Sequence, residues 1–468
     1  MDFSKDLSVI ILAAGKGKRM RSETPKALHH LCGKPMIYHI LKQVQMLGPK
    51  NIFAVIGHKK EEVRKYLKDS FPGVLTVDQD KQLGTAHAVM TAESHFDDMG
   101  ENILVLSGDC PLINSETLKV LAALRHKKDL SASILTYMAD DPYGYGRIVK
   151  DDRGKIVRIV EEKDASSSQK QIDEVNSSIY CFKKQMLLNN IGKIGRKNSQ
   201  GEHYLTDIVE MFIEKGEKIE AYTACDSSEA GGINDRIQLA AAEEILQQRI
   251  NRGHMENGVT IRNPSSVYIE DTVVIEPDAV IGPSCFLIGD TFIGKNAVIE
   301  AFSRIDGCRI GSGTRVLHSV ILGADIGPDN NIGPYSYIRP DTVTGSGVKI
   351  GAFCEVKKSS VGRGSKVPHL SYVGDTEIGS RVNIGASSVT VNYNGFSKSR
   401  TIIEDNAFIG SDTMLIAPVR IGRGAIVAAG SVITRDVQAD AMAIERSKQR
   451  NIRKGAAKYR ERKQEKKQ

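Results

Sequence analysis

Phe408–Thr434 reads FIGSDTMLIAPVRIGRGAIVAAGSVIT, and an apolar residue returns at every sixth position: Ile409, Leu415, Ile421, Val427 and Ile433. A step of six fits neither an amphipathic helix, whose apolar face returns at three and four, nor a half-buried strand, which alternates at two. It fits a coil of three short faces, each about six residues long and each sending one apolar side chain inward. The same step runs through Ile293, Ile299 and Ile305, through Ile326, Ile332 and Ile338, and through Val361, Val367 and Val373. A left-handed parallel β-helix is therefore expected over 258–446. The stretches KKSSVGRGSKVPHLSYVGD and NYNGFSKSR break the period. Breaks in a regular solenoid are where binding loops emerge.

Upstream the texture differs. SVIIL, NIFAVIG and NILVLSGD read as buried parallel strands, and PMIYHILKQVQML places Met36, Ile37, Ile40, Leu41 and Val44 on one helical face. Residues 1–233 are thus expected to form an α/β domain around a mostly parallel, Rossmann-like sheet, with ligands beyond the carboxyl ends of the strands, where Gly15 and Asp109 fall. A helical arm is expected over 234–257, with Ile237, Ala241, Glu244 and Ile245 as a stripe interrupted by charge.

The chain has 468 residues, enough for two or three cores, and a formal charge of +7. From Arg446 onward eleven Lys/Arg face two acidic residues, so the basic excess belongs to the end of the sequence. That tail, 447–468, is expected to be disordered or weakly helical, and no nucleic-acid partner is inferred from it. There is no apolar run of membrane-spanning length, and the opening MDFSKDLSVI has no signal-like apolar core, so a cytoplasmic location and no membrane partner are expected. Seven cysteines without CxxC spacing argue against a disulfide framework or a zinc site.

The first apolar strand runs into ILAAGKGKRM, Ile11–Met20. Glycines after a strand expose backbone N–H groups to an anion, phosphate above all. A Walker A loop starting at Gly15 would need Gly, Lys and Ser/Thr where Met20, Arg21 and Ser22 stand. A dinucleotide fingerprint would need a third glycine in place of Met20. Taken alone, the turn is equally a strand-to-loop connection carrying surface lysines.

The pairing of these two halves, together with their motifs, resembles the bacterial bifunctional N-acetylglucosamine-1-phosphate uridyltransferases/glucosamine-1-phosphate acetyltransferases, and the likeness runs to about Arg446. Leu12-Ala13-Ala14-Gly15-Lys16-Gly17-Lys18-Arg19-Met20 with Pro25-Lys26 is similar to that family's LxxGxGxRM…PK signature. The resemblance implies that Leu12, Ala13, Ala14, Gly15, Arg19 and Lys26 face the triphosphate of UTP. It implies uracil at Gln79, Gly84 and Thr85, sugar at Gly146, Glu161 and Asn176, and Mg²⁺ at Asp109 and Asn234, the latter also counted with the nucleotide site. Two positions depart from the family: Lys18 replaces a small hydroxyl residue and Ser107 replaces a tyrosine, which is expected to loosen the sugar pocket.

In the second half the resemblance implies His369 as general base, because a neutral imidazole accepts a proton from an attacking amine near neutral pH. It implies Arg339, Lys357, Tyr372 and Asn383 for the amino-sugar phosphate. Ala386, Ser411, Ala429 and Arg446 are implied for acetyl-CoA, with Asn392 and Tyr393 completing the sugar and acetyl-CoA sites. Asn394 stands where the family has Asp. The implied function is acetylation of glucosamine 1-phosphate followed by uridylyl transfer, giving UDP-N-acetylglucosamine for peptidoglycan and lipopolysaccharide precursors, by a homotrimer joined through the β-helix. Two alternatives are a nucleotidyltransferase whose β-helix only oligomerises, and a non-catalytic scaffold of the same plan. His369, Asn392 and Tyr393 speak against the first; Lys26, Asp109 and Asn234 speak against the second.

Overall fold

The computed structural model describes residues 6–466. The chain divides into two compact units, one up to Arg249 and one from Ile250.

In the first unit, among the described residues, nine strands form one sheet. They are β1 (Leu7–Ala13), β2 (Asn51–Ile56), β3 (Val74–Asp78), β4 (Asn102–Ser107), β5 (Ala132–Met138), β6 (Arg147–Lys150), β7 (Ile156–Val160), β8 (Glu174–Lys183) and β9 (Ile219–Thr223). The main order is β9-β5-β8-β4-β1-β2-β3, with β6 paired to β8 and to β7. β1 shows why its sequence is continuously apolar. Leu7, Val9 and Ile11 pack into one cluster, which also contains residues of α1 (Met36–Gln45), α2 (Lys60–Ser70) and α4 (Ser115–Lys127). Ile10 packs on the opposite face, in the cluster that holds α3 (Thr85–Met90), α5 (Lys184–Ile191) and α6 (Asp207–Glu214). A strand covered on both faces has no polar alternation to show. The α1 residues Met36, Ile37, Ile40, Leu41 and Val44 are all buried.

Within the main order one strand reverses the expected direction. β1 is parallel to β2 and β4, but β8 runs antiparallel to both β4 and β5. Its register shifts between Asn176 and Ile179, where Ser178 adopts φ 61°. Such a bulge re-aims the strand locally, and it does so where β8 borders the cleft described below.

The arm forms α7 (Arg236–Glu256). Its expected stripe is out of phase: Ile237, Ala241 and Glu244 are exposed. The inner face is instead Leu239 and Ala242, with Ile245 and Leu246 partly buried, and it covers Met20, Leu31, Met36, Leu112 and Ile233 of the first unit.

The second unit is a left-handed parallel β-helix. Among the described residues its short strands form three parallel sheets of eleven, ten and nine strands. Ile281, Ile299, Val316, Ile332, Ile350 and Val367 stack on successive coils. Every hexad residue named above is buried, and an inward Ile or Val of this kind contributes about 1.5–3 kcal/mol. Corners turn through left-handed residues. Asn296, Asp329 and Asp341 suit that conformation, but one corner column uses Phe302, His318, Tyr335, Phe353 and Leu370. The first four stack with ring centroids 5.8, 6.0 and 5.5 Å apart.

Near the end of the chain, α8 (Gly455–Glu465) lies within the segment expected to be disordered or weakly helical. The side chains described along it are almost all exposed, so Ala, Lys, Arg and Glu propensity rather than core packing favours it. No helix among the described residues is long and apolar enough to cross a membrane.

Candidate active sites in the two units

The first unit holds a cleft of about 760 Å³ at the carboxyl ends of β1 and β4. Leu12, Ala13, Ala14, Gly15, Lys26, Gln79, Gly84, Thr85, Asp109 and Glu161 line it, as do both departures, Lys18 and Ser107. Arg19 is not brought there; it is exposed on a short 3-10 turn, Lys18–Met20. Two glycines are required by shape. Gly17 has φ 58°, and a Cβ on it would stand 2.8 Å from the Cβ of Lys26. Gly84 has φ 113°, and a Cβ there would meet the His203 carbonyl oxygen at 2.4 Å.

The centre of the cleft is a convergence on one positive charge. Lys26 Nζ donates to Asp109 Oδ2 in an ion pair and to Asn234 Oδ1 at 2.8 Å. Ser107 Oγ donates to the other carboxylate oxygen of Asp109 at 2.6 Å. Burial alone would push the Asp109 carboxyl up, but Lys26, Ser107 and Cys110 together hold it below the ordinary carboxylate range. Ser107 thus caps the carboxylate, a role not foreseen from its departure. Two hard oxygens already aimed at one ammonium form a donor set that suits a small divalent cation. Among the described residues no group of three or more His, Cys, Asp or Glu side chains could cage a metal. Such a pair of oxygens fits a cation like magnesium, which keeps waters and substrate phosphates as its remaining ligands.

Gly146, Glu161 and Asn176 meet at one side. The Asn176 N–H donates to the Gly146 carbonyl at 2.8 Å, and a Cβ on Gly146 would lie 3.5 Å from Glu161 Oε2. Asn176 Nδ2 donates to the Tyr180 hydroxyl at 2.6 Å, and Tyr180 lines the cleft. Burial pushes the Glu161 carboxyl up; the Thr206 hydroxyl, donating at 3.1 Å, offsets part of that, and Asp207 and Asp164 add to it.

In the second unit the implied acetyl-CoA residues form a column. The Ser387 N–H donates to the His369 carbonyl at 3.3 Å, the Asp412 N–H to Ala386 at 2.7 Å and the Gly430 N–H to Ser411 at 2.8 Å. The corners carrying His369, Ala386, Ser411 and Ala429 are therefore stacked by the ladder itself, and Arg446 Nη1 donates to the Ala429 carbonyl at 2.8 Å. His369 is exposed at the end of its strand and Leu370 follows at φ 50°. Asn383 lies opposite Lys366 on the adjoining coil.

A second cluster flanks that column. Asn392 Nδ2 donates to Asp375 Oδ2 at 2.5 Å and reaches the Tyr372 hydroxyl at 3.5 Å. Lys398 faces Lys357, and their mutual repulsion holds the Lys398 ammonium below its ordinary range. Two adjacent ammoniums beside Tyr372 suit a phosphate. Lys398 was not singled out in the sequence; the only signal was its place in a period-breaking loop. Arg339 is ion-paired to Glu355 at 2.8 Å. Tyr393 is exposed, its hydroxyl donating to the Gly395 carbonyl at 2.5 Å. Asn394 Oδ1 accepts from the Phe396 and Ser397 N–H groups at 2.9 and 2.8 Å. These contacts close its own loop, which an aspartate would do equally well.

Residues 8–244 match the nucleotidyl transferase family model, and residues 400–435 match the bacterial transferase hexapeptide model. The chain is 45% identical over 442 residues to the bifunctional protein GlmU of Carboxydothermus hydrogenoformans, covering 94% of this chain and 98% of that one. It is 46% identical to that of Clostridium novyi, covering 96% and 98%, and 47% identical to that of Streptococcus equi subsp. zooepidemicus, covering 96% and 97%.

Proposed function

Since the chain belongs to the GlmU family of bifunctional proteins, we propose that its two units divide the synthesis of UDP-N-acetylglucosamine between the two sites just described. The β-helix acetylates glucosamine 1-phosphate with acetyl-CoA, and the α/β unit joins the product to UTP with release of pyrophosphate. The observation that carries this reading is the ammonium of Lys26 held by Asp109 and Asn234 inside the cleft, in a chain that also stacks the His369 corner into a column.

In the α/β unit the backbone of Leu12–Gly15 and the cations Lys16, Lys18 and Lys26 face the triphosphate. They stabilise the charge that develops as a phosphate oxygen of the sugar attacks the α-phosphorus and pyrophosphate leaves. Asp109 and Asn234 would hold Mg²⁺, which would supply charge neutralisation of the phosphates. Gln79, Gly84 and Thr85 take the uracil, and Gly146, Glu161 and Asn176 take the sugar.

In the β-helix, neutral His369 accepts a proton from the sugar amine as its nitrogen attacks the thioester carbonyl, and CoA leaves as the C–S bond breaks. Lys357 and Lys398, with Arg339 nearby, hold the sugar phosphate beside Tyr372, Asn383 and Asn392. CoA lies along Ala386, Ser411, Ala429 and Arg446, reached by Tyr393. Three copies meet through the β-helix in a cytoplasmic enzyme; the exposed stripe of Phe302, Tyr335, Phe353 and Leu370 supports burial against another copy.

The test follows free thiol and pyrophosphate separately, with glucosamine 1-phosphate, acetyl-CoA, UTP and Mg²⁺ supplied. Asp109→Ala should stop pyrophosphate release, measured with N-acetylglucosamine 1-phosphate, and leave CoA release at the parent rate. Pyrophosphate release at the parent rate in Asp109→Ala would overturn the assignment.

A further inference from the structure

Gln79 is buried yet lines the cleft, and its amide nitrogen is used twice. Nε2 donates to the Gly84 carbonyl at 3.2 Å and meets His87 Nδ1 at 2.9 Å. A carbonyl can only accept, so the atom facing Gly84 is the nitrogen. Its second proton then points at His87 Nδ1, which accepts only when that ring nitrogen carries no proton. His87 itself is not among the residues lining the cleft.

We propose that His87 is the positioning residue for base selection: its unprotonated Nδ1 fixes the Gln79 amide with the carbonyl oxygen toward the ligand, so that the site demands a hydrogen-bond donor at the pyrimidine N3. Uracil carries N3–H there, whereas cytosine carries a lone pair that would face the Gln79 oxygen. The inference rests on the reading that Gln79 meets the base. Turning the Gln79 amide over would set its oxygen against the Gly84 carbonyl and against Nδ1, two acceptors at once. Burial holds the His87 imidazole below its ordinary range, and the neighbouring His203 ring and the Arg196 guanidinium act in the same direction. His203 stacks on it at 6.4 Å.

The experiment compares kcat/KM for UTP and CTP in the full chain, using N-acetylglucosamine 1-phosphate as acceptor and the thermal unfolding of the α/β unit as the check on folding. His87→Leu should lower the UTP:CTP ratio about 10-fold, mainly through KM, since one of two anchors is lost. His87→Asn should keep the ratio, because Oδ1 replaces Nδ1 at the same distance along the side chain. In the parent protein the ratio should fall as pH drops below the ordinary histidine range; titration of the triphosphate cancels between the two nucleotides. A parent ratio flat in pH overturns the proposal even where His87→Leu does not fold. An unchanged ratio in His87→Leu, with a collapsed ratio in Gln79→Ala, overturns it while leaving Gln79 at the base. An unchanged ratio in Gln79→Ala overturns both.

Discussion

Replacing Lys26 by Met removes the charge on which Asp109 and Asn234 converge and keeps most of the side-chain volume. Breaking a fully buried ion pair from one side costs about 3–5 kcal/mol. Here the two side chains keep 15% and 20% of their exposure, and Ser107 still donates to the carboxylate, so a loss of about 2 kcal/mol is expected. In a unit of this size that lowers Tm by about 4–8 °C. The sign with pH follows from Asp109, which the ammonium holds below its ordinary range against burial. In the parent the stabilisation is present above the unfolded value, near 3.9, and is lost as pH falls through the lower folded value. In Lys26→Met burial is no longer opposed by the ammonium, so the carboxyl takes up a proton first and sheds its penalty, and the gap between the two proteins narrows as pH falls toward 4. Scanning calorimetry at pH 7.5 and 4.5 measures the gap, and pyrophosphate release should fall by about 10²-fold or more. A gap equal at both pH values, or no loss of stability, would refute the electrostatic account of this centre.

His369→Ala should lower acetyl transfer by about 10²- to 10⁴-fold with uridylyl transfer untouched, read by thiol and pyrophosphate release; CoA release near the parent rate would remove the case for a base there. A fragment ending at residue 249 should fold and accept N-acetylglucosamine 1-phosphate, while one ending at 235 should melt lower, since it lacks Leu239, Ala242 and Ile245, which cover Met20, Leu31 and Met36. Burial first, then Glu210 and Asp164, push Asp207 up to about 6. Its ionised form is therefore a cost that grows as pH rises from the unfolded value through 6, and Asp207→Asn should stabilise the protein by about 1–3 kcal/mol at pH 7.5, with the gain vanishing near pH 4.

The inward residues of the β-helix were legible because each hexad position has one geometric meaning, and Ile409 through Ile433 all point inward. The turn that lines the cleft was legible because β1 is apolar on both faces and gives way to a glycine-rich stretch just past Ala13. The reversal of β8 was not, since strand direction leaves no mark on a run such as Glu174–Lys183. The phase of α7 was missed because an alanine-rich helix offers two stripes of equal spacing, and only the partners of Leu239 decide between them. Ser107 and Lys398 were hidden for another reason: a hydroxyl or an ammonium declares its role only through what stands opposite, Asp109 in one case and Lys357 in the other.

The loop that carries Lys398 leaves and rejoins its coil without disturbing the ladder. Twenty-five residues separate Asn383 from Phe408, where eighteen separate Phe408 from Ile426, yet both pairs are matched strand to strand. The surplus hangs outside a coil that closes beneath it. Length and sequence in that appendage can therefore drift under selection for a different acceptor while the stack below experiences no change in register, so the fold uncouples evolution of chemistry from evolution of stability.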